Sequence, residues 1–305
     1  MPRKRKGRPI SGVLLLNKPT GASSNNILQK VRWIYQAAKA GHTGSLDPLA
    51  SGMLPICFGE ATKFSQFLLN SDKAYRVTAK LGETTTTADA EGDILQTRRI
   101  EVSSEEIEQA IMSFVGESMQ IPSMFSALKH NGTPLYKLAR QGIEVERKAR
   151  PINIFKIEIE SISHDSFAMY VECSKGTYIR NLVEDIGETL GCGAHVSQLH
   201  RDWVGHFRGL PMIELAQLEQ MREQQDFQAL DQLLLATDSP LDGYPSIELS
   251  SDAAHYFSHG QALTMSKLPD QPFIKVYNDT GQFLGVASVN EYGKLAPKRL
   301  VVITG

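Results

Sequence analysis

Residues 41–55 read GHTGSLDPLASGMLP, a run in which Gly41, Gly44 and Gly52 punctuate a loop whose single carboxylate, Asp47, is flanked by apolar side chains. Glycine permits backbone conformations and close approaches that a Cβ forbids, so such a loop can bring Asp47 against a bound molecule. An Asp followed by Pro48 can equally cap a turn or a helix start. The residue types alone leave both roles open.

The elements on either side of this loop set the fold class. Upstream, Ile27, Val31 and Ile34 recur at helical spacing after Ser23-Ser-Asn, which predicts an amphipathic helix with Lys30 and Arg32 outward. The glycine-rich stretch from Gly41 to Gly59 interrupts it. Downstream, Tyr75 to Leu81 alternates apolar and polar residues as a half-buried strand that begins at Tyr75 and runs into a turn-rich loop from Gly82 to Asp93. Ser103-Ser-Glu-Glu106 is a capping box opening a helix with Ile107, Ile111 and Phe114 on one face. Phe167, Met169, Val171 and Cys173 mark a further strand, followed by a helix in which Tyr178, Leu182, Ile186 and Leu190 share a face and Arg180 lies in the first turn. Tyr244-Pro245 marks a boundary, beyond which Phe273–Tyr277, Phe283–Val289 and Arg299–Ile303 read as short strands. Strands mixed with helices, without regular βαβ alternation, predict an α+β fold with a small β-rich C-terminal module.

Composition excludes several classes of function. The 305 residues are 41% hydrophobic and 22% charged with a formal net charge of −2, ordinary for a globular chain. The charge is uneven. Arg3, Lys4, Arg5, Lys6 and Arg8 crowd the N-terminus, and Met124 to Arg150 carries six basic residues against Glu144 and Glu146, a net of +4. Glu214 to Asp242 instead holds seven acids against Arg222 alone. Cys57, Cys173 and Cys192 form no CxxC pair, so neither a disulfide framework nor a zinc site is expected, and a cytoplasmic setting follows. Val13 to Leu16 is too short an apolar run for an export signal, and no stretch reaches the roughly 18 apolar residues of a membrane span. Asp89, Glu91 and Asp93 begin like a calcium loop, but its twelfth position is Ile100, so an acidic turn is expected.

GHTGSLDPLASGMLPICFGEATKF (41–64), preceded by NKPTGASSN (17–25) and followed by KAYRV (73–77) and SKGTYIRNL (174–182), resembles the TruB family of tRNA pseudouridine synthases. The resemblance spans nearly the whole chain. It implies a pseudouridine synthase catalytic domain over 1–246, with a thumb-like RNA-binding insertion at about 124–150, and a PUA-like domain over 247–305. Two departures stand out: Ser45 replaces a small apolar residue, and Thr86 lies where an acid is common.

The same resemblance implies that uridine 55 of the tRNA T loop is isomerised without a cofactor or metal. Asp47 is implied as nucleophile or base, Arg180 as the cation that lowers its pKa, and Tyr75 as the aromatic face for the uracil. Leu199 would wall the pocket, His42 would fill the space left by the extruded base, and Lys18 with Pro19 would support the site. Implied partners are the tRNA T arm and, through the C-terminal domain, the acceptor end, with a monomeric protein. Read without that resemblance, Arg180 could pair with Glu184 on its own helix, and Tyr75 and Leu199 could be core. A non-catalytic RNA-binding protein or tRNA folding chaperone is the alternative function. An aspartate-dependent hydrolase is disfavoured because no loop near Asp47 offers an obvious second acid.

Overall fold

The computed structural model describes residues 7–302, so Arg3 to Lys6 and the end of the expected last strand lie outside the described residues. The chain opens with β1 (Gly12–Lys18), buried along its length, and α1 (Ser24–Ile34), whose cap Ser23 accepts from the Asn26 amide. Lys30 faces outward as expected, whereas Arg32 folds back onto the carbonyls of Ala37 and Ala38. Next come β2 (Ala40–His42) and β3 (Ser51–Phe58). β3 corrects the reading of residues 41–55 as one glycine-punctuated loop. Its residues from Gly52 onward are all buried, and a Cβ on Gly52 would lie 2.3 Å from the Arg201 carbonyl oxygen, so that glycine belongs to a closely packed strand.

A short helix, α2 (Ser65–Leu69), leads to β4 (Lys73–Leu81), which starts two residues before Tyr75 and is more buried than its alternation suggested. The hairpin β5 (Glu83–Thr85) and β6 (Ile94–Thr97) carries the acidic turn at its tip. The expected capping box, Ser103 with Glu106, opens α3 (Ser104–Met112) ahead of β7 (Gly116–Gln120). The basic segment contains the small hairpin of β8 (Lys129–His130) and β9 (Thr133–Pro134) with α4 (Leu135–Ala139). Then follow β10 (Arg150–Ile162), β11 (Ser166–Cys173), α5 (Ile179–Thr189) and β12 (Ala194–Val204). The acidic stretch forms β13 (Ile213–Glu214), α6 (Leu215–Glu223) and α7 (Phe227–Gln232).

One mixed sheet organises this part, in the order β13-β1-β3-β12-β4-β11-β10-β7, with β2 on β3. Pairing is antiparallel except between β1 and β13 and between β3 and β12. α1, α3 and α5 bury Ile27, Val31, Ile107, Ile111, Leu182 and Ile186 in the core of the sheet. β3, β12 and β4 therefore lie in the middle, where main-chain groups are fully paired and side-chain positions are most constrained.

After Pro245 the chain forms a separate sheet of β14 (Ser246–Leu249), β15 (Ile274–Asn278), β16 (Phe283–Val289) and β17 (Leu295–Leu300). Its last strand begins four residues before the expected Arg299, and α8 (Ser251–Ser258), capped by Ser250, was not anticipated. Phe64, Phe67, Tyr244, Phe273 and Phe283 pack edge to face and join this unit to the region of α2. The fold is α+β, as expected. Among the described residues, no helix is long and apolar enough to cross a membrane.

Candidate active site

Asp47 sits in the connection between β2 and β3, and neighbouring side chains bind that loop by its own backbone. Ser24 at the start of α1 donates to the Leu46 carbonyl at 2.9 Å and accepts from the Leu46 amide at 2.7 Å. Lys18, at the end of β1 and wholly buried, donates to the carbonyls of Pro19 at 2.8 Å and Ala50 at 2.7 Å. The Gly21 amide donates to the Pro48 carbonyl at 2.8 Å. A loop anchored at this many points holds its carboxylate in one place.

The Arg180 Nε lies 3.0 Å from the Asp47 carboxylate, not on Glu184 of its own helix. Its Nη1 donates to Asp89 Oδ2 at 3.2 Å and to the Thr87 carbonyl at 2.9 Å, and its Nη2 donates to the Phe125 carbonyl at 2.7 Å. Asp89 is 3% exposed and Arg180 7%, so one buried guanidinium serves two carboxylates. This corrects the expectation that no second acid stands near Asp47. Asp89 was read as part of an acidic turn because nothing in local spacing shows that the β5–β6 tip folds over α5. Thr86, where an acid was common by resemblance, is exposed and accepts from the Asp93 amide, and Ser45 is exposed.

The expected lowering of the Asp47 pKa is also corrected. Burial pushes its carboxyl above the ordinary range; Arg180 and Lys18 oppose that rise, and the charge of Asp89 adds to it. The carboxylate is still 40% exposed, so desolvation is partial and the site remains open on one side. The same burial pulls Lys18 down to about 8, against the attraction of Asp47 and Glu91.

Tyr75 and Val77 on β4 pair with Arg201 and Leu199 on β12, and because side chains alternate along strands all four share one face. Tyr75 and Leu199 are each 8% exposed, on the apolar core that also holds Leu46 of the loop. Burial raises the Tyr75 hydroxyl above its ordinary range, opposed by the Arg201 guanidinium beside it. A cleft of about 650 Å³ opens next to the loop, with Thr20, Leu49, Ser51, Leu199 and His200 among its walls. His42, on β2, is half-buried with its Nδ1 unpaired among the described residues. Burial and then Arg201 push its pKa down, so its ring is neutral near pH 7.

The structure thus gathers Asp47, Arg180 and Lys18 around one loop and aligns Tyr75 and Leu199 on the adjoining strands, with His42 on the strand that enters the loop. Sequence reasoning passed over Asp89 and Arg201. Arg201 had a legible sign, since it stands two residues beyond Leu199 in a strand and must share its face.

Comparison with known proteins follows the same lines. The family described as TruB family pseudouridylate synthase (N terminal domain) matches residues 32–179, tRNA pseudouridylate synthase B C-terminal domain matches 180–242, and Pseudouridine synthase II TruB, C-terminal, matches 245–301. The tRNA pseudouridine synthase B of Vibrio parahaemolyticus is 52% identical over 99% of this chain and 98% of its own length. That of Stutzerimonas stutzeri is 49% identical over 98% of each chain. Among solved structures, a chain of a Cbf5-Nop10-Gar1 complex superposes with a TM-score of 0.71 at 24% identity, covering 95% of this chain and 84% of that one. A chain of an H/ACA RNP bound to a substrate RNA containing 2'-deoxyuridine superposes at 0.73 and 22% identity, covering 99% and 92%. At these identities the two superpositions establish the fold.

Proposed function

We infer, since this chain belongs to the TruB family of pseudouridine synthases, that it is a tRNA pseudouridine synthase that isomerises uridine 55 of the T loop with Asp47 as its catalytic carboxylate. The observation that carries the reading is the 3.0 Å contact between Asp47 and Arg180 inside a loop fixed from several sides. The reaction breaks the bond from N1 of uracil to C1′ of ribose, turns the base and joins C1′ to C5. Substrate and product hold the same atoms, so the net change needs no oxidant and no energy donor. An ionised oxygen beside the nucleoside is what the protein must provide.

Arg180 keeps such an oxygen charged in a partly dry site and, through Thr87, Asp89 and Phe125, ties it to two further loops. Tyr75 offers the aromatic face on which uracil can stack, and Leu199 closes the apolar side. A uridine folded into the T loop has to be extruded first, and neutral His42 can occupy its place without burying a charge. Lys18 supports the loop. The exposed Lys129, Lys137, Arg140, Lys148 and Arg150 of the basic segment suit phosphate contacts, with the C-terminal sheet as a second RNA surface. The expected monomeric, cytoplasmic state belongs to the same reading. A tRNA folding chaperone activity is compatible with it, and refolding by Asp47→Asn would isolate that activity. The enzyme assignment is tested with unmodified tRNA tritiated at C5 of its uridines: wild-type protein should release the label from position 55 as water, and release from another position or none would overturn it.

A further inference from the structure

Arg201 is among the largest side chains to be fully buried, at 1% exposure, and no carboxylate among the described residues pairs with it. It lies on β12 between its register partners Gly52 on β3 and Tyr75 on β4. Its Nε donates to the Met53 carbonyl at 2.8 Å, and its Nη2 donates to the Gly44 carbonyl at 2.9 Å. Gly44 and Met53 bracket the loop that carries Asp47. One rigid fork therefore grips both ends of that loop, beside the hydroxyl of Tyr75.

The backbone at this position adds to the grip. A Cβ on Gly52 would stand 2.3 Å from the Arg201 carbonyl oxygen and 2.6 Å from its amide nitrogen, so β3 and β12 meet closely where the loop returns to the sheet. An apolar side chain could fill the same volume without desolvating a cation. It could not bridge two carbonyls nine residues apart in the chain while facing Tyr75.

We propose that Arg201 is a positioning residue for the reaction, fixing the Asp47 loop relative to Tyr75. The proposal deepens the function inferred above and rests on it. Misplacing a reacting group by about 1 Å can cost about 100-fold in rate, so Arg201→Met should lower kcat by about that factor and leave tRNA affinity within about twofold. Arg201→Lys, with the charge but not the fork, should recover part of the loss. Hydrogen exchange on the RNA-free protein should show the amides of residues 44–53 opening at least about tenfold faster in both variants. Should Arg201→Met fail to fold, Arg201→Lys carries the comparison.

Wild-type kcat in a folded variant, a loss due entirely to weaker tRNA binding, or unchanged exchange in the loop would each overturn the proposal. A purely structural role would reduce the folded fraction without changing turnover per folded molecule. If the wild-type protein converts no tRNA, the synthase reading falls, whereas the exchange comparison needs no RNA and still decides whether Arg201 holds the loop.

Discussion

The floor and the rim of the site stabilise buried cations in different ways. On the floor, Lys18 and Arg201 are both buried and donate to main-chain carbonyls: Lys18 to Pro19 and Ala50, Arg201 to Gly44 and Met53. On the rim, Arg180 divides its donors between two carboxylates and the carbonyls of Thr87 and Phe125. A carbonyl is a fixed dipole that does not titrate, so charge on the floor changes only through the cation itself, as it does for Lys18 near 8. The rim depends on the ionisation of Asp47 and on where the segments carrying Thr87 and Phe125 lie. Support by fixed dipoles thus sits beneath the loop, and the titrating carboxylate of Asp47 sits on its exposed side.

The largest effect should come from the rim carboxylate. Asp47→Asn should lower C5 label release by on the order of 10⁴-fold or more while Asp89 keeps Arg180 paired. Its effect on stability has the opposite sign. The folded-state pKa of Asp47 is raised from 3.8, so the stability linked to its protonated form is present below that value and lost as pH rises through the folded pKa. The melting temperature of Asp47→Asn should therefore gain on wild type as pH increases through that range, and a constant difference would show that the ionised carboxylate is not strained. The acid limb of wild-type activity should likewise lie above the ordinary aspartate range.

Arg180→Met should be the most destabilising change on the rim. It leaves Asp89 buried without a cation, and breaking a buried pair costs about 3 to 5 kcal/mol, measurable by urea unfolding. A loss below about 1 kcal/mol would place Asp89 in better contact with water than its burial implies.

Lys18→Met tests the floor. Its carbonyl partners lose a donor, at a cost of about 1 to 3 kcal/mol near pH 7. Because the folded Lys18 titrates near 8 instead of 10.5, the unfolded chain holds a proton that the folded chain has released between those values. The stability gap between wild type and variant should widen from pH 8 to pH 10.5, and a gap that narrows there would contradict a desolvated lysine.

The smallest effect belongs to the exposed basic segment. Replacing both Lys137 and Arg140 by Ala should weaken tRNA binding and reduce the slope of log K against log salt by roughly 0.9 for each phosphate that is no longer neutralised. An unchanged slope would mean that neither residue meets RNA.

Local chemistry made several elements legible without a structure. Ser23 and the Ser103–Glu106 box announce α1 and α3, and the apolar spacing of Leu182 and Ile186 announces α5, because capping and periodicity act within a few residues. β3 was not legible, since Gly52 and Pro55 interrupt its pattern and its pairing partners, β1 along its length and β12 at Ser51 and Gly52, are distant in sequence. α8 was hidden in the same way by a stretch dominated by strand and turn residues.

The sequence by itself determined the α+β class, the helix starts, the family and the grouping of Asp47, Tyr75 and Arg180 as residues worth watching. Tertiary structure alone decided that Asp89 shares the guanidinium of Arg180, that Asp47 is pushed up in pKa, and that Arg201 lies under the loop. Caps and periodicities are written into neighbouring residues, whereas desolvation and charge pairing are set by groups that meet only once the sheet has closed.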